Sequence, residues 1–344
     1  MARIAIVGAG NVGLYVGAFL HLAGCQVCWV GRTWLRKELE DAGALTVSDF
    51  YNHTFSIQAD EVQFLTDISE LVQSEEEVVI DFLFLTVKAH ATEEAVQSFK
   101  HLDGKVVVVT LQNGIQNAEV IRKHMPNTMV ITGMFPTNIV HLPGGHFHQA
   151  SIGPIHLEDG EEASTLAQVF IEAGMPTQLT TDIKGILYGK LLLNLMNATN
   201  ALSGVPLRTQ LSDRSHRLVL ARCIDEALAC YRVANIKPLS FFTFPMWVVP
   251  YILRLPDWIF FQIASAVLGI DERAMSSMYD DLLLKRPTEI AYLNGEILKL
   301  AEEHGVSTPM NSAIDKMIRK IEAERPERPP SFSGDELLAM AEQT

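Results

Sequence analysis

The first half of the chain alternates short apolar runs with amphipathic stretches. "RIAIV" (3–7) predicts a strand, 11–23 a helix stopped at Gly24, and "CQVCWV" (25–30) a second strand. A helix at 33–42 leads into "ALTVSDFYNHTFSIQ" (44–58), whose pattern predicts β structure. "VVIDFLFLTV" (78–87) is a near-continuous apolar run, as expected of a parallel strand covered on both faces. A helix at 89–100, "KVVVVTL" (105–111), a helix at 115–124 and "MVITGM" (129–134) continue the alternation. Short antiparallel strands are expected over 139–158, around "HLPGGHFH". This rhythm predicts an α/β domain with a doubly wound, mostly parallel sheet.

From about 183 the strand signals stop, and apolar positions recur with a period near 3.6 at 183–203, 214–236, 275–303 and 308–322. The second half is therefore predicted to be all-α, ending in a Pro-rich link and a short amphipathic helix. The expected division is 1–181 and 182–344. A chain of 344 residues is too long for one ordinary core, which agrees with two domains.

Composition narrows the partners. With 48% hydrophobic and 20% charged residues, the chain reads as soluble and globular. A net charge of −14 argues against a nucleic-acid partner but not against a phosphate bound in a local basic pocket. The apolar stretch 241–270 is interrupted by three prolines, Arg254 and Asp257. It falls short of the roughly 18–20 unbroken residues of a membrane span. It is expected to pack against another surface, either a homodimer partner or a wall of the substrate cleft. A strand pattern by the third residue gives no sign of a leader, so the expected compartment is the cytoplasm. Cys25 and Cys28 form a C-x-x-C inside a strand, where their side chains point to opposite faces, and Cys223 and Cys230 share a helix face. No metal is expected at these, nor at His141, His146 and His148 of the hairpin.

Gly8, Gly10 and Gly13 form G-x-G-x-x-G after a strand and at the start of a helix, with a second strand following. That context makes residues 8–13, Asn11 and Val12 included, a dinucleotide-binding turn. The helix N-terminus supplies free N–H groups and positive dipole for the pyrophosphate. After the second strand, "WVGRTW" presents Arg32 where an NAD site usually has an acid. A guanidinium there suits a 2′-phosphate, so the expected cofactor is NADP(H). Lys88 and Asn113 close two more strand ends on the ligand side of such a sheet.

In the second half, Lys190, Asn194 and Asn197 fall within about 60° on one face of an oily helix, with Asn200 at the edge. Either they form a satisfied buried network or they line a cleft opposite the nicotinamide. Ser277, Asp281 and Thr288 recur at helical spacing, with Glu289 beyond Pro287. A carboxylate there could make a buried lysine tolerable and tune its proton affinity.

Taken in order, the glycine fingerprint with Arg32, "TVKAHAT", "LQNG", "GKLLLN", "SSMYDDLLLKRPTEIAYLNGE" and "HGVSTP" resemble the ketopantoate reductase (2-dehydropantoate 2-reductase) family. The resemblance implies a Rossmann domain followed by a helical domain, and NADPH-dependent reduction of 2-dehydropantoate to (R)-pantoate on the route to pantothenate and coenzyme A. It further implies that Lys190 is the catalytic proton donor and that Glu289 organises the site and the cofactor. It places Asn113 between nicotinamide and substrate, Lys88 near the cofactor, and Asn194, Asn197 and Ser277 at the substrate. One departure bears on specificity. The family's second asparagine falls eight residues after the lysine, where this chain has Ala198; its asparagine is one earlier, at Asn197. Two alternatives remain: an NADP-dependent reductase of another 2-oxo acid, and a non-catalytic NADP-sensing regulator.

Overall fold

A computed structural model describes residues 2–71, 80–241, 244–264 and 274–342. Two compact units divide the chain, Met1–Ile183 and Lys184–Thr344.

In the first unit the strands are β1 (Arg3–Val7), β2 (Gln26–Val30), β3 (Ala44–Ser48), β4 (Thr54–Gln58), β5 (Gln63–Leu65), β6 (Phe82–Leu85), β7 (Val107–Thr110), β8 (Met129–Met134), β9 (Ile139–Leu142), β10 (His146–Gln149), β11 (Ile155–Glu158) and β12 (Thr177–Thr180). Helices α1 (Asn11–Leu22), α2 (Thr33–Ala42), α3 (Thr92–Phe99), α4 (Asn117–His124) and α5 (Glu161–Glu172) join them. Among the described residues, the main sheet has the order β12-β11-β8-β7-β6-β1-β2-β5. All neighbours in it are parallel except β11 and β8. The chain runs from β1 outward to β2 and β5, then returns to the other side of β1 with β6. The strand order therefore reverses at the end of β1, the point where such sheets bind ligands.

The apolar runs explain why this sheet is covered on both faces. Phe82 and Phe84 belong to one core with Ile4, Ile6 and Trp29, while Leu83 and Leu85 join the opposite core with Ala5, Val7 and Val30. Cys25 and Cys28 divide between the same two cores, as a strand's alternation requires. A smaller sheet, β4-β3-β10-β9, forms beside it. Its β3–β10 pairing is parallel and joins segments about a hundred residues apart, which no local pattern announces. The "HLPGGHFH" histidines serve here. His146 and His148 both meet the Ser48 hydroxyl, at 2.7 and 2.8 Å, and His141 meets the Glu38 carboxylate at 2.8 Å.

The second unit is helical: α6 (Ile183–Ser203), which begins on the last residue of the first unit, α7 (Leu207–Ser212), α8 (Arg214–Val233), α9 (Val249–Leu253), α10 (Asp257–Ala264), α11 (Ser277–Leu283), α12 (Asn294–His304), α13 (Pro309–Glu324) and α14 (Gly334–Ala341). No helix among the described residues is long and apolar enough to cross a membrane. The continuous helix expected over 275–303 is corrected. It ends at Leu283, and α12 starts only at Asn294. Pro287 has no N–H to continue the ladder and pushes the residue before it out of helical geometry. Lys285 turns the chain with a φ of 55°.

The stretch 241–270 is packed on one side only, with residues 242–243 and 265–270 outside the described set. Met246, Leu253 and Phe260 are buried, whereas Trp247, Tyr251 and Trp258 stand about two-thirds exposed (60%, 64% and 69%). Its inner side is held by Arg217 of α8, which is fully buried. That guanidinium donates to the carbonyls of Leu211, Ser212, Leu253 and Leu255 at 2.9–3.3 Å and to Asp257 at 2.6 Å, and lies 4.1 Å from the Phe260 ring centre. One cation thus satisfies the carbonyl ends of two helical segments. Arg217→Ala would leave those carbonyls without their donor and should lower stability by about 3–5 kcal/mol in urea unfolding. Asp257→Ala, at a side chain 57% exposed, should cost under about 1 kcal/mol.

Candidate active site

In the first unit the site is assembled by strand ends. After β1, Gly8 and Ala9 donate their N–H groups to Val30 at the end of β2, each at 3.0 Å. Gly8 has a φ of +108°, and a Cβ on it would overlap the backbone of Val87. A side chain here is excluded both by conformation and by the close approach of the loop after β6. The Thr86 hydroxyl locks that approach by donating to the Gly8 carbonyl at 2.7 Å. A Cβ on Gly13 would overlap the Gly8 carbonyl, so α1 can sit on the turn only with glycine there. Gly10 differs: a Cβ on it would meet nothing within 4 Å. Its lack of a side chain leaves open space on the outside of the turn, as the approach of a pyrophosphate requires.

The first α-helical bond of α1 runs from Leu14 N–H to the Gly10 carbonyl at 2.9 Å. The N–H groups of Asn11, Val12 and Gly13 therefore stand ahead of the helix ladder. The side chain of Asn11 is engaged elsewhere, donating to Ile139 of β9 at 2.8 Å, so its backbone is what it offers the turn. Arg32 is exposed at the start of α2, directly after Gly31, which abuts Ala9 of the glycine turn and has room for no Cβ there. Lys88 and Asn113, both half-buried, follow β6 and β7. These residues of the first unit thus gather around the ends of β1, β2, β6 and β7.

In the second unit, Lys190, Asn194 and Asn197 lie along α6. Gly189 precedes the lysine because the carbonyl of Leu239 occupies the space a side chain would need. Burial drives the Lys190 ammonium down from its ordinary value to about 8. Asn194 is buried and Asn197 half-buried. Ala198 is completely buried and belongs to the packing of the unit. Glu289 is buried too, with Thr288 before it, whose N–H is accepted by Glu322 at 2.6 Å. Thr288 does not continue the face of Ser277 and Asp281, because the helix has already ended.

Ser277 is exposed at the first turn of α11, and Ser276 is the residue that joins this helix to α6. Ser276 accepts from Tyr279 N–H at 3.2 Å as the helix cap, and its hydroxyl donates to the Asn197 carbonyl at 2.9 Å. Its own N–H goes to Asn200 Oδ1 at 2.8 Å. Asn200, fully buried, also donates to Val205 O at 2.9 Å and Gln210 Oε1 at 3.1 Å. Asn200 is thus a satisfied structural amide, while the other three polar residues of the stripe are nearer the surface. Sequence reasoning passed over Ser276; a serine immediately before a helical run, in position to cap it, was the signal that could have found it.

Comparison with known proteins places the chain in a family. The family model described as ketopantoate reductase PanE/ApbA matches residues 4–162, and its C-terminal companion matches 182–322. The 2-dehydropantoate 2-reductase of Archaeoglobus fulgidus is 27% identical over 93% of this chain and 98% of its own length. That of Vibrio cholerae is 26% identical, again over 93% and 98%. Among solved structures, a PanE/ApbA family ketopantoate reductase from Ralstonia eutropha superposes with a TM-score of 0.77 at 26% identity, covering 94% of this chain and 99% of that one. D-mandelate dehydrogenase, solved with NADH and anilino(oxo)acetate, shares the fold at 23% identity and a TM-score of 0.76, covering 94% and 99%.

The depressed Lys190 value has a stability consequence. Below about 8 the folded protein holds a desolvated ammonium. Between that value and the ordinary lysine range near 10.4, the unfolded chain binds a proton the folded one does not, so stability rises with pH. Lys190→Met should therefore stabilise the protein by on the order of 2 kcal/mol at pH 7, and most of that gain should vanish near pH 10.5. Urea midpoints at the two pH values give the comparison; an equal gain at both would mean that burial is not what shifts Lys190.

Proposed function

Because the chain belongs to the ketopantoate reductase family, we propose that it reduces 2-dehydropantoate to (R)-pantoate with NADPH, the step that serves pantothenate and coenzyme A synthesis. The observation that carries this reading is Lys190, an ammonium brought down to about 8 by burial and set one helical turn from Asn194. When bound, the nicotinamide supplies the hydride. The open backbone at Gly10 and the free N–H groups of Asn11, Val12 and Gly13 fit its pyrophosphate. Arg32 would pair with the 2′-phosphate, with Lys88 and Asn113 at the remaining strand ends.

The chain's own contribution is to manage charge and protons at the substrate. As the C2 carbonyl gains a hydride, negative charge develops on its oxygen. Lys190 Nζ stabilises that charge and delivers the proton, and the product is the 2-hydroxy acid. A lysine near 8 is mostly protonated at neutral pH, yet gives up its proton more readily than an ordinary one. Asn194, Asn197 and Ser277 would orient the substrate, and Glu289 the lysine and cofactor.

One observation favours a second reading, the reduction of another branched 2-oxo acid. Position 198, where the family resemblance implies an asparagine, is here an alanine sealed in the core, and the half-buried amide is one residue earlier at Asn197. One residue is a rotation of about 100° around the helix. If Asn197 does not reproduce the lost contact, discrimination at the substrate's hydroxyl end weakens.

Two measurements test this function. The first compares kcat/KM with NADPH for 2-dehydropantoate and for 2-oxoisovalerate, which lacks the hydroxymethyl group, in the parent and in Lys190→Ala. The parent should reduce 2-dehydropantoate, with kcat/KM falling as pH rises through about 8, and the variant should lose about 10²–10⁴-fold in kcat. No turnover of either acid would leave the NADP-sensing regulator standing, and a preference for 2-dehydropantoate above about 10⁴-fold would dismiss the second substrate. The second concerns the cofactor: Arg32→Ala should raise the NADPH KM about 10- to 100-fold and leave NADH nearly unchanged. Equal use of both cofactors by the parent would remove Arg32 from that role.

A further inference from the structure

The strand ends of the first unit carry a polar chain that the function above does not use. Gln112, the residue before Asn113, is buried at the end of β7. Its side-chain oxygen accepts from the Thr110 hydroxyl at 3.0 Å. Its nitrogen donates to the Val87 carbonyl and to the Thr92 hydroxyl, both at 2.8 Å. Thr92 then donates to Asn117 Oδ1 at 3.0 Å, and Asn117 donates to the Asn113 carbonyl at 2.7 Å. Thr92 and Asn117 are the first residues of α3 and α4, and both are buried.

The donors and acceptors of this chain admit one arrangement. Both N–H bonds of Gln112 are spent, so turning its amide over would press its oxygen against the Val87 carbonyl. The Thr92 hydroxyl accepts from Gln112 and must therefore send its own hydrogen to Asn117. The two ends of the chain are the backbone carbonyls of Val87, immediately before Lys88, and of Asn113. Val87 is also the residue against which Gly8 packs, with Thr86 bonded to the Gly8 carbonyl. One buried amide therefore sets the backbone of two strand ends relative to each other and to the glycine turn.

We propose that Gln112 is a positioning residue for cofactor binding. Through Val87 it fixes Lys88, and through Thr92 and Asn117 it fixes Asn113, so that both are held in place before the nicotinamide cofactor arrives. The proposal rests on the reading that Lys88 and Asn113 face that cofactor. Pre-set backbone lowers the cost of ordering on binding, so its loss appears in affinity. A glutamine serves here because it offers two donors and one acceptor on a single planar head, which neither a carboxylate nor a hydroxyl can do.

The test is a double-mutant cycle on NADPH binding, read as the dissociation constant from titration of protein fluorescence, with melting temperature recorded for every variant. Gln112→Leu should weaken NADPH about 10-fold. In the Lys88→Ala/Asn113→Ala background the same change should weaken it by less than about 2-fold, because the groups it positions are gone. Thr92→Val keeps its shape but breaks the relay. It should couple to Asn113→Ala and add independently to Lys88→Ala, and it carries the test alone if Gln112→Leu does not fold. Additive losses throughout would make Gln112 a structural amide and overturn the proposal. If Lys88→Ala and Asn113→Ala leave the dissociation constant unchanged by themselves, it is the underlying reading of those two residues that falls, and the proposal with it.

Discussion

A polar group removed from water costs roughly 2–7 kcal/mol unless a partner replaces the water. That constraint organises both units of this protein. In the first, Gln112 meets it with three bonds that tie the ends of β6 and β7 to the start of α3, and Thr92 passes the chain on to Asn117 at the start of α4. In the second, Asn200 meets it by holding α6, α7 and the cap of α11 together, and Arg217 by gathering the carbonyl ends around the 249–257 segment. Glu226 does the same at the start of α13, accepting from the N–H groups of Met310 and Asn311 at 2.8 and 2.9 Å. Buried polar groups have few alternative partners, so each of these pins a junction that apolar packing alone would leave free to slide.

Against that background Lys190 stands out by the direction of its response. The planar guanidinium of Arg217 reaches five acceptors at once in the interior. A lysine is a compact charge that gives up its proton when desolvated, and burial has moved Lys190 to about 8. The two cations illustrate two uses of the same helical unit. One holds carbonyl ends together, and the other is brought within reach of neutral pH. The proposed chemistry needs the second kind.

The glycine turn makes a related point about space. Gly8 and Gly13 are excluded from carrying side chains by their own neighbours, Val87 and the Gly8 carbonyl, so the fold needs them whether or not a cofactor binds. Gly10 has no such neighbour. Of the three glycines it is the one whose absence of a side chain internal packing does not explain, which is why it carries the argument for a ligand on that side of the turn.

Much of this was legible in the residues themselves. Alternation along "RIAIV" and "DFLFL" specified a sheet buried on both faces, since the side chains of a strand must divide between two cores. The 3.6-residue period specified the helical second half, and the glycines after "RIAIV" marked the tight turn that opens α1. Local pattern also located Lys190 and Asn194, because a charge in an oily helix is conspicuous. It could not show that Ser276 ties α11 to α6, or that Asn200 is structural while Asn197 stays half-buried, because these depend on hydrogen bonds between segments about 75 residues apart. Nor could it see that Pro287 divides the helix expected over 275–303, that β10 pairs with β3, or that Gln112 reaches Val87 and Thr92. A side chain's sequence neighbours fix its local geometry, but its hydrogen-bond partners are chosen by the packing of distant elements, and only the folded chain brings them within 3 Å of one another.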